Sequence, residues 1–235
     1  MMKATEFEFR HRSILNLIQF WLAFQAYVFD HSNVVWSFFP WDNPRGAVAA
    51  RLIFLFGGLL VGAGAVIRTW ATAYLGPQVV FDLKMHSERL VADGPYRHVR
   101  NPLYLGSLLL CIGLGLLANR AGFLILVGAA TIRILRLIGR EEENLQRQQG
   151  ERFLNFAHLV PRLLPSLVAR IPAGEIEPRW GEAFLAEMWM WGFFATMVGF
   201  TITLRPSVAR TLGLLSAAVW VIQRAANQWV KAKKV

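Results

Sequence analysis

Cysteine is nearly absent. The 235 residues contain one, Cys111, inside an apolar run. A disulfide framework and a thiolate metal site are both excluded, and packing is the role this thiol suggests. Histidine is sparse and scattered: His11, His31, His86, His98 and His158 include no pair at ligand spacing on one helix. Metal-dependent hydroxylase and desaturase chemistry is therefore set aside. There is no nucleophilic serine elbow, phosphate loop, nucleic-acid-binding motif, internal repeat or low-complexity tract. Charge is scarce too. Only 17% of residues are charged, and Asp and Glu number 15 against 25 Lys and Arg, for a net charge of +10. With 55% hydrophobic residues, the composition is too apolar for an ordinary soluble domain.

What fills the chain instead is apolar sequence. A bilayer span needs roughly 20 mostly apolar residues, with basic side chains tolerated at its ends. Six stretches fit, at about 13–29, 47–67, 102–118, 121–138, 184–204 and 207–229, with Arg133, Arg136, Arg210 and Arg224 near the ends of the fourth and sixth. An all-α, polytopic membrane bundle of about six transmembrane helices is expected, its cytosolic loops forming a cofactor pocket. Lys3, Arg10 and Arg12 precede the first run, but no small-residue cleavage site follows "AYVFDHS", so this span is expected to stay. With the N-terminus inside, every Lys and Arg except Arg45, Arg51, Arg120, Arg205 and Arg210 falls on the inner face, Lys84, Arg89 and the Lys231–Lys234 tail included. The positive-inside bias thus places both termini and the two long loops, roughly 68–101 and 139–183, in the cytosol. This excess of basic residues suits anionic membrane lipids, with no nucleic acid as partner.

Four regions follow: two N-terminal spans (1–69), a region of loop, helical hairpin and interfacial helix (70–168), a Pro- and Gly-rich linker (169–182) and a C-terminal helical pair (183–235). In the second span, Gly58-x-x-x-Gly62 would let a neighbouring helix approach closely, as would Gly106 and Gly113 in the third. Spans three and four are joined by only "NRAG" and must form an antiparallel hairpin. Leu145, Phe153, Phe156 and Leu159 share one stripe, which suggests an amphipathic helix lying on the membrane. The last pair holds few polar groups and reads as scaffold.

The densest chemistry lies in "DGPYRHVRNPLYLG", residues 93–106. Asn101 suits an N-cap and Pro102 the first helical position, so a helix should begin there with its positive dipole end facing the cytosol. Arg97, His98 and Arg100 add to that field and make an anion-binding mouth. The same residues also fit a plainer role, as positive-inside anchors with Tyr96 and Tyr104 as an aromatic belt. Across the hairpin stand Glu141, Glu142 and Glu143. Glu143 is placed to pair with Arg147 four residues on. Glu141 and Glu142 have no such partner and must lie near the cationic mouth. Opposed charges across one cleft suit a zwitterionic ligand, and simple charge pairing between the loops is the alternative.

These two stretches also carry a resemblance. "LVADGPYRHVRNPLYLG", followed about 35 residues later by "EEENLQRQQGERFLNFAHLVPRLLP", resembles the isoprenylcysteine carboxyl methyltransferase family and its phospholipid methyltransferase relatives over about residues 50–165. Arg100, Pro102, Tyr104 and Gly106 match the first motif; Glu141, Glu142, Leu145 and Gly150 match the second. Asn101 stands where the family has histidine, Gln149 where phenylalanine precedes the glycine, and Phe153 and Phe156 where it has tyrosines. The resemblance implies an integral membrane enzyme binding S-adenosyl-L-methionine through Tyr96, Arg97, His98, Arg100, Asn101, Pro102, Tyr104, Glu141 and Glu142, with Arg100, Asn101 and Glu142 as the catalytic set. The implied acceptor is lipid-like or prenylated, with carboxyl O-methylation nearest. Phospholipid amine methylation, an NADPH-dependent sterol or enone reductase and a membrane scaffold are the competing readings. An amine acceptor would need His98 or a glutamate to take its proton.

Overall fold

The computed structural model describes residues 3–40, 42–76 and 91–232. Lys84, His86, Arg89 and the end of the basic tail lie outside the described residues. Those described form helices with no β-strand among them. In order they are α1 (Glu6–Arg10), α2 (Arg12–Gln25), α3 (Val34–Phe38), α4 (Pro44–Leu75), α5 (Pro102–Gly115), α6 (Arg120–Gln149), α7 (Glu151–Leu159), α8 (Trp180–Ala186), α9 (Met188–Thr203) and α10 (Pro206–Ala232).

Among the described residues two helices, α4 and α6, are long and apolar enough to cross a bilayer, and α8 with α9, bent by 61°, would make a third. The expected span at 102–118 is the 14-residue helix α5, about 21 Å long at 1.5 Å per residue and so shorter than the roughly 30 Å hydrocarbon layer. The expected hairpin is present. Asn119 starts α6 by accepting a hydrogen bond from Gly122 N (2.7 Å) and donates to Asp30 O (2.7 Å). Asn33 caps α3 and donates to Leu116 O (2.9 Å) and Ala118 O (3.1 Å). Both asparagines are buried, so the hairpin turn is bolted to the loop after α2.

The expected close helix approach occurs, at glycines one and two positions away from the Gly58–Gly62 motif. Gly57 lies on Gly113, and Gly64 on Gly106; a β-carbon at Gly106 would stand 2.8 Å from the Gly64 carbonyl oxygen and 2.5 Å from Arg68 Cγ. The seven-residue spacing on both helices gives an antiparallel seam between α4 and α5. Gly58 and Gly62 instead receive Met197 and Phe194 of α9. A core of Val61, Leu110, Leu114, Leu126, Ile138 and Met190 joins these helices. Within α6, residues 124–129 form a π-turn. A wider turn leaves carbonyls poorly matched, and the buried Gln19 side chain donates to Ile125 O (3.1 Å) and Leu126 O (2.7 Å).

Two expectations change. The stripe from Leu145 to Leu159 is broken at Gly150, which has φ +52° and ends α6. Phe153 and Phe156 turn inward onto Leu145 and Val160, whereas Leu159 is exposed. The stripe thus covers a cleft and is not one continuous face for lipid. The 169–182 segment is not a loose tether either. Asp93 accepts from the backbone N–H groups of Gly174 and Ile176, and Arg179 N donates to Ala73 O (3.0 Å).

Candidate active site

Residues 97–100 dock along residues 161–171 through the backbone. Arg100 N donates to Pro161 O (2.8 Å), Ser166 N to His98 O (2.9 Å) and Arg170 N to Arg97 O (2.9 Å). This ladder fixes where the side chains go. Arg97 Nε donates to Ile171 O (2.9 Å), and His98 Nδ1 lies 2.9 Å from Ser166 O with its ring beside Trp70. Both face the 161–171 segment and neither lines the cleft. The cationic mouth therefore rests on Arg100.

Arg100 meets Glu142 as the hairpin predicts: Nη1 is 3.1 Å from Oε1, and Arg162 Nε is 2.9 Å from Oε2. Asn101 occupies the N-cap position of α5, but its side chain does not cap. It donates to Glu142 Oε1 (3.3 Å) and Arg162 O (3.0 Å). The helix thus begins with its first N–H groups uncapped, beside a carboxylate that pairs with two guanidiniums and accepts from Asn101. One turn on, Tyr104 donates to Glu141 Oε1 (2.7 Å). Glu143 points away, paired with Arg147 and Lys3 at 2.8 Å each.

Burial lowers the Arg100 pKa while Glu142 opposes that shift, and burial raises the Tyr96 phenol well above its ordinary value. Arg100 stays charged and Tyr96 neutral at physiological pH.

These groups form one end of a cleft of about 380 Å³, lined also by Tyr96, Pro102 and Leu145. Its other walls come from α2, Phe153 and Phe156 of α7, Trp189 and Phe193 of α9, and Trp220 of α10. The terminal helical pair is therefore part of the site. It also supplies a charge that the sequence reading passed over. Glu187, at the bend between α8 and α9, is fully buried; Arg68 Nε and Nη2 donate to its carboxylate at 2.8 and 2.9 Å, and Thr72 at 2.8 Å. Arg68 Nη1 donates to Leu103 O (3.1 Å) and Ser107 Oγ (2.9 Å), and so anchors α5. The available signal was a lone arginine and a lone glutamate in apolar helices, each of which needs a partner there.

Residues 52–152 match the family model for phospholipid methyltransferase. The cobalt-zinc-cadmium resistance protein CzcN of Cupriavidus metallidurans is 25% identical over 158 residues, which cover 67% of this chain and 65% of that protein. No solved structure matches the chain. The matched segment runs from α4 to the start of α7 and carries Arg68, Arg100, Asn101, Tyr104, Glu141 and Glu142. Residues 52–152 of this chain are thus similar to the phospholipid methyltransferase family.

Proposed function

We propose that this protein is a multi-pass membrane methyltransferase that uses S-adenosyl-L-methionine at a cleft facing the cytosol, where both termini lie, and acts on a lipid-like acceptor. The observation that carries this reading is the arrangement around Glu142. Arg100, Arg162 and Asn101 converge on it next to an uncapped helix N-terminus, with the Tyr104–Glu141 pair one turn away. The donor set suits a zwitterionic amino acid moiety. Arg100 lines the cleft and its Nε is buried without a hydrogen-bond partner, which leaves a charged donor for a carboxylate. Glu141 and Glu142 offer oxygens to an ammonium or to ribose hydroxyls, and Phe153 and Phe156 offer apolar faces to an adenine. The bound cofactor supplies an electrophilic methyl group.

For transfer, the protein's task is to hold the acceptor in line and exclude water. Glu142 is paired with Arg100 and Arg162 and accepts from Asn101, Glu141 accepts from Tyr104, and His98 is turned out of the cleft. None of these is a ready proton acceptor. That favours an acceptor needing no base, a carboxylate, and hence isoprenylcysteine-type O-methylation.

The test uses tritiated S-adenosylmethionine, detergent-purified protein and two acceptors, an N-acetyl-S-farnesylcysteine and a phosphatidylethanolamine. Label in the prenylcysteine, released as methanol by base, is the expected result. Base-stable label in the amine lipid would move the assignment to N-methylation. Label in neither would remove this acceptor class.

A further inference from the structure

Away from the motif residues, the cleft has a second charged end. On α6, Arg133, Leu137 and Glu141 follow one another at four-residue steps, and all three line the cleft. Arg133 therefore lies about 12 Å further along the helix than Glu141. Arg12 and Asn16 on α2, and Trp220 and Arg224 on α10, share the same spacing and line the same cavity. Arg133 donates to Asn16 Oδ1, Arg12 lies 4.4 Å over the Phe9 ring and donates to Phe9 O (3.1 Å), and Arg224 lies 5.8 Å from the Trp220 ring. Three helices thus direct one guanidinium each into an aromatic-walled space.

Among the described residues, neither Arg133 nor Arg224 has a carboxylate within ion-pair distance. Of the acidic groups nearby, Glu8 is paired with Arg136 and Glu141 accepts from Tyr104. Half-buried guanidiniums in apolar surroundings need a counter-charge, and such residues in membrane helices mark ligand paths. A separate observation points the same way. Trp189 lines the cleft, is 9% exposed, and its indole N–H has no partner. It is a donor without an acceptor. At the opposite wall Leu17 both lines the cleft and is exposed, so the cavity reaches the outer face of the bundle beside α2.

We infer that Arg12, Arg133, Arg224 and the Trp189 N–H form an oxyanion subsite that takes the head of an anionic amphiphile, its chain running along the apolar wall. This does not rest on the methyltransferase reading and does not make the amphiphile the methyl acceptor. The subsite itself stands on residues outside the cofactor motifs, three of them outside the family-matched segment.

Calorimetric titration of protein purified in dodecyl maltoside tests it, with dodecyl phosphate, dodecanoate and inorganic phosphate as probes. The detergent present in excess is the neutral chain of equal length. Saturable binding of at least one anionic chain is expected, weakened by about tenfold or more in Arg133→Gln and in Arg224→Gln, the loss of a charge-assisted hydrogen bond. Arg224→Lys, which keeps the charge, should retain most of the affinity, and Arg210→Gln, exposed on the same helix, all of it. S-adenosylhomocysteine affinity should be unchanged in all four, which shows that the variants are folded and separates this subsite from the cofactor site. Anionic chains that fail to bind over the detergent, or bind the glutamine variants as tightly as wild type, would overturn the proposal. So would inorganic phosphate binding as tightly as dodecyl phosphate, because the occupant would then be a free ion.

Discussion

Replacing Glu187 with alanine should be among the most damaging single substitutions in this protein. Its carboxylate is fully buried and receives three hydrogen bonds, two from a guanidinium that is itself 8% exposed. Alanine would strand Arg68 between α4, α5 and α9, with only Leu103 O and Ser107 as polar partners. Removing one member of a buried ion pair costs about 3–5 kcal/mol, because the remaining charge stays desolvated. In a protein of this size each kcal/mol moves the thermal midpoint by about 2–4 °C, so a fall of about 6–20 °C is expected. The assay is thermal unfolding in detergent, followed by tryptophan fluorescence. Arg68→Met combined with Glu187→Met should recover most of the loss, since an apolar pair of similar volume strands no charge. A midpoint for Glu187→Ala within about 2 °C of wild type would refute the pair's structural role.

Two other predictions concern packing and pH. Gly106→Ala sets a β-carbon against the Gly64 carbonyl oxygen and Arg68, which the backbone cannot relieve, and should destabilise by about 1–3 kcal/mol. Gly128→Ala meets nothing within 4 Å and should leave the melting temperature unchanged or raise it slightly. Arg136 donates to Glu8 at 3.1 and 2.8 Å and holds its carboxyl below the ordinary glutamate value. The unfolded chain therefore takes up this proton first as pH falls. The pair's contribution is complete above the ordinary glutamate range and lost below it. Melting curves of wild type and Glu8→Gln should differ at pH 7 and converge as the pH falls from the ordinary glutamate range through the lowered folded-state value, and a gap that does not shrink with acidification would exclude this linkage.

The sequence was most legible where local rules act alone. The hairpin follows from "NRAG", Pro102 begins α5, and the Glu143–Arg147 pair sits at its expected spacing. The meeting of Arg100 with Glu142 followed from the hairpin plus two charge clusters. What stayed hidden was set by tertiary contact. Asn101 has every local property of an N-cap, yet Glu142 and Arg162 O claim its amide. The stripe of Phe153 and Phe156 gave a correct periodicity but no indication of whether lipid or protein would cover it. Which glycines face α5 depends on helix rotation, which a motif such as Gly58-x-x-x-Gly62 does not fix. The Arg68–Glu187 pair joins residues 119 apart, and each member alone looked like an isolated charge. That pair, with Trp189 and Trp220, brings the terminal helices into the site.

The most direct test of the central claim is calorimetric titration of the purified protein with S-adenosylhomocysteine, with NADPH as comparison and Glu142→Ala as the altered site. Saturable binding of S-adenosylhomocysteine alone, abolished in Glu142→Ala while the fold survives, is the predicted result. Binding of NADPH in its place, or S-adenosylhomocysteine binding that is indifferent to Glu142, would contradict it.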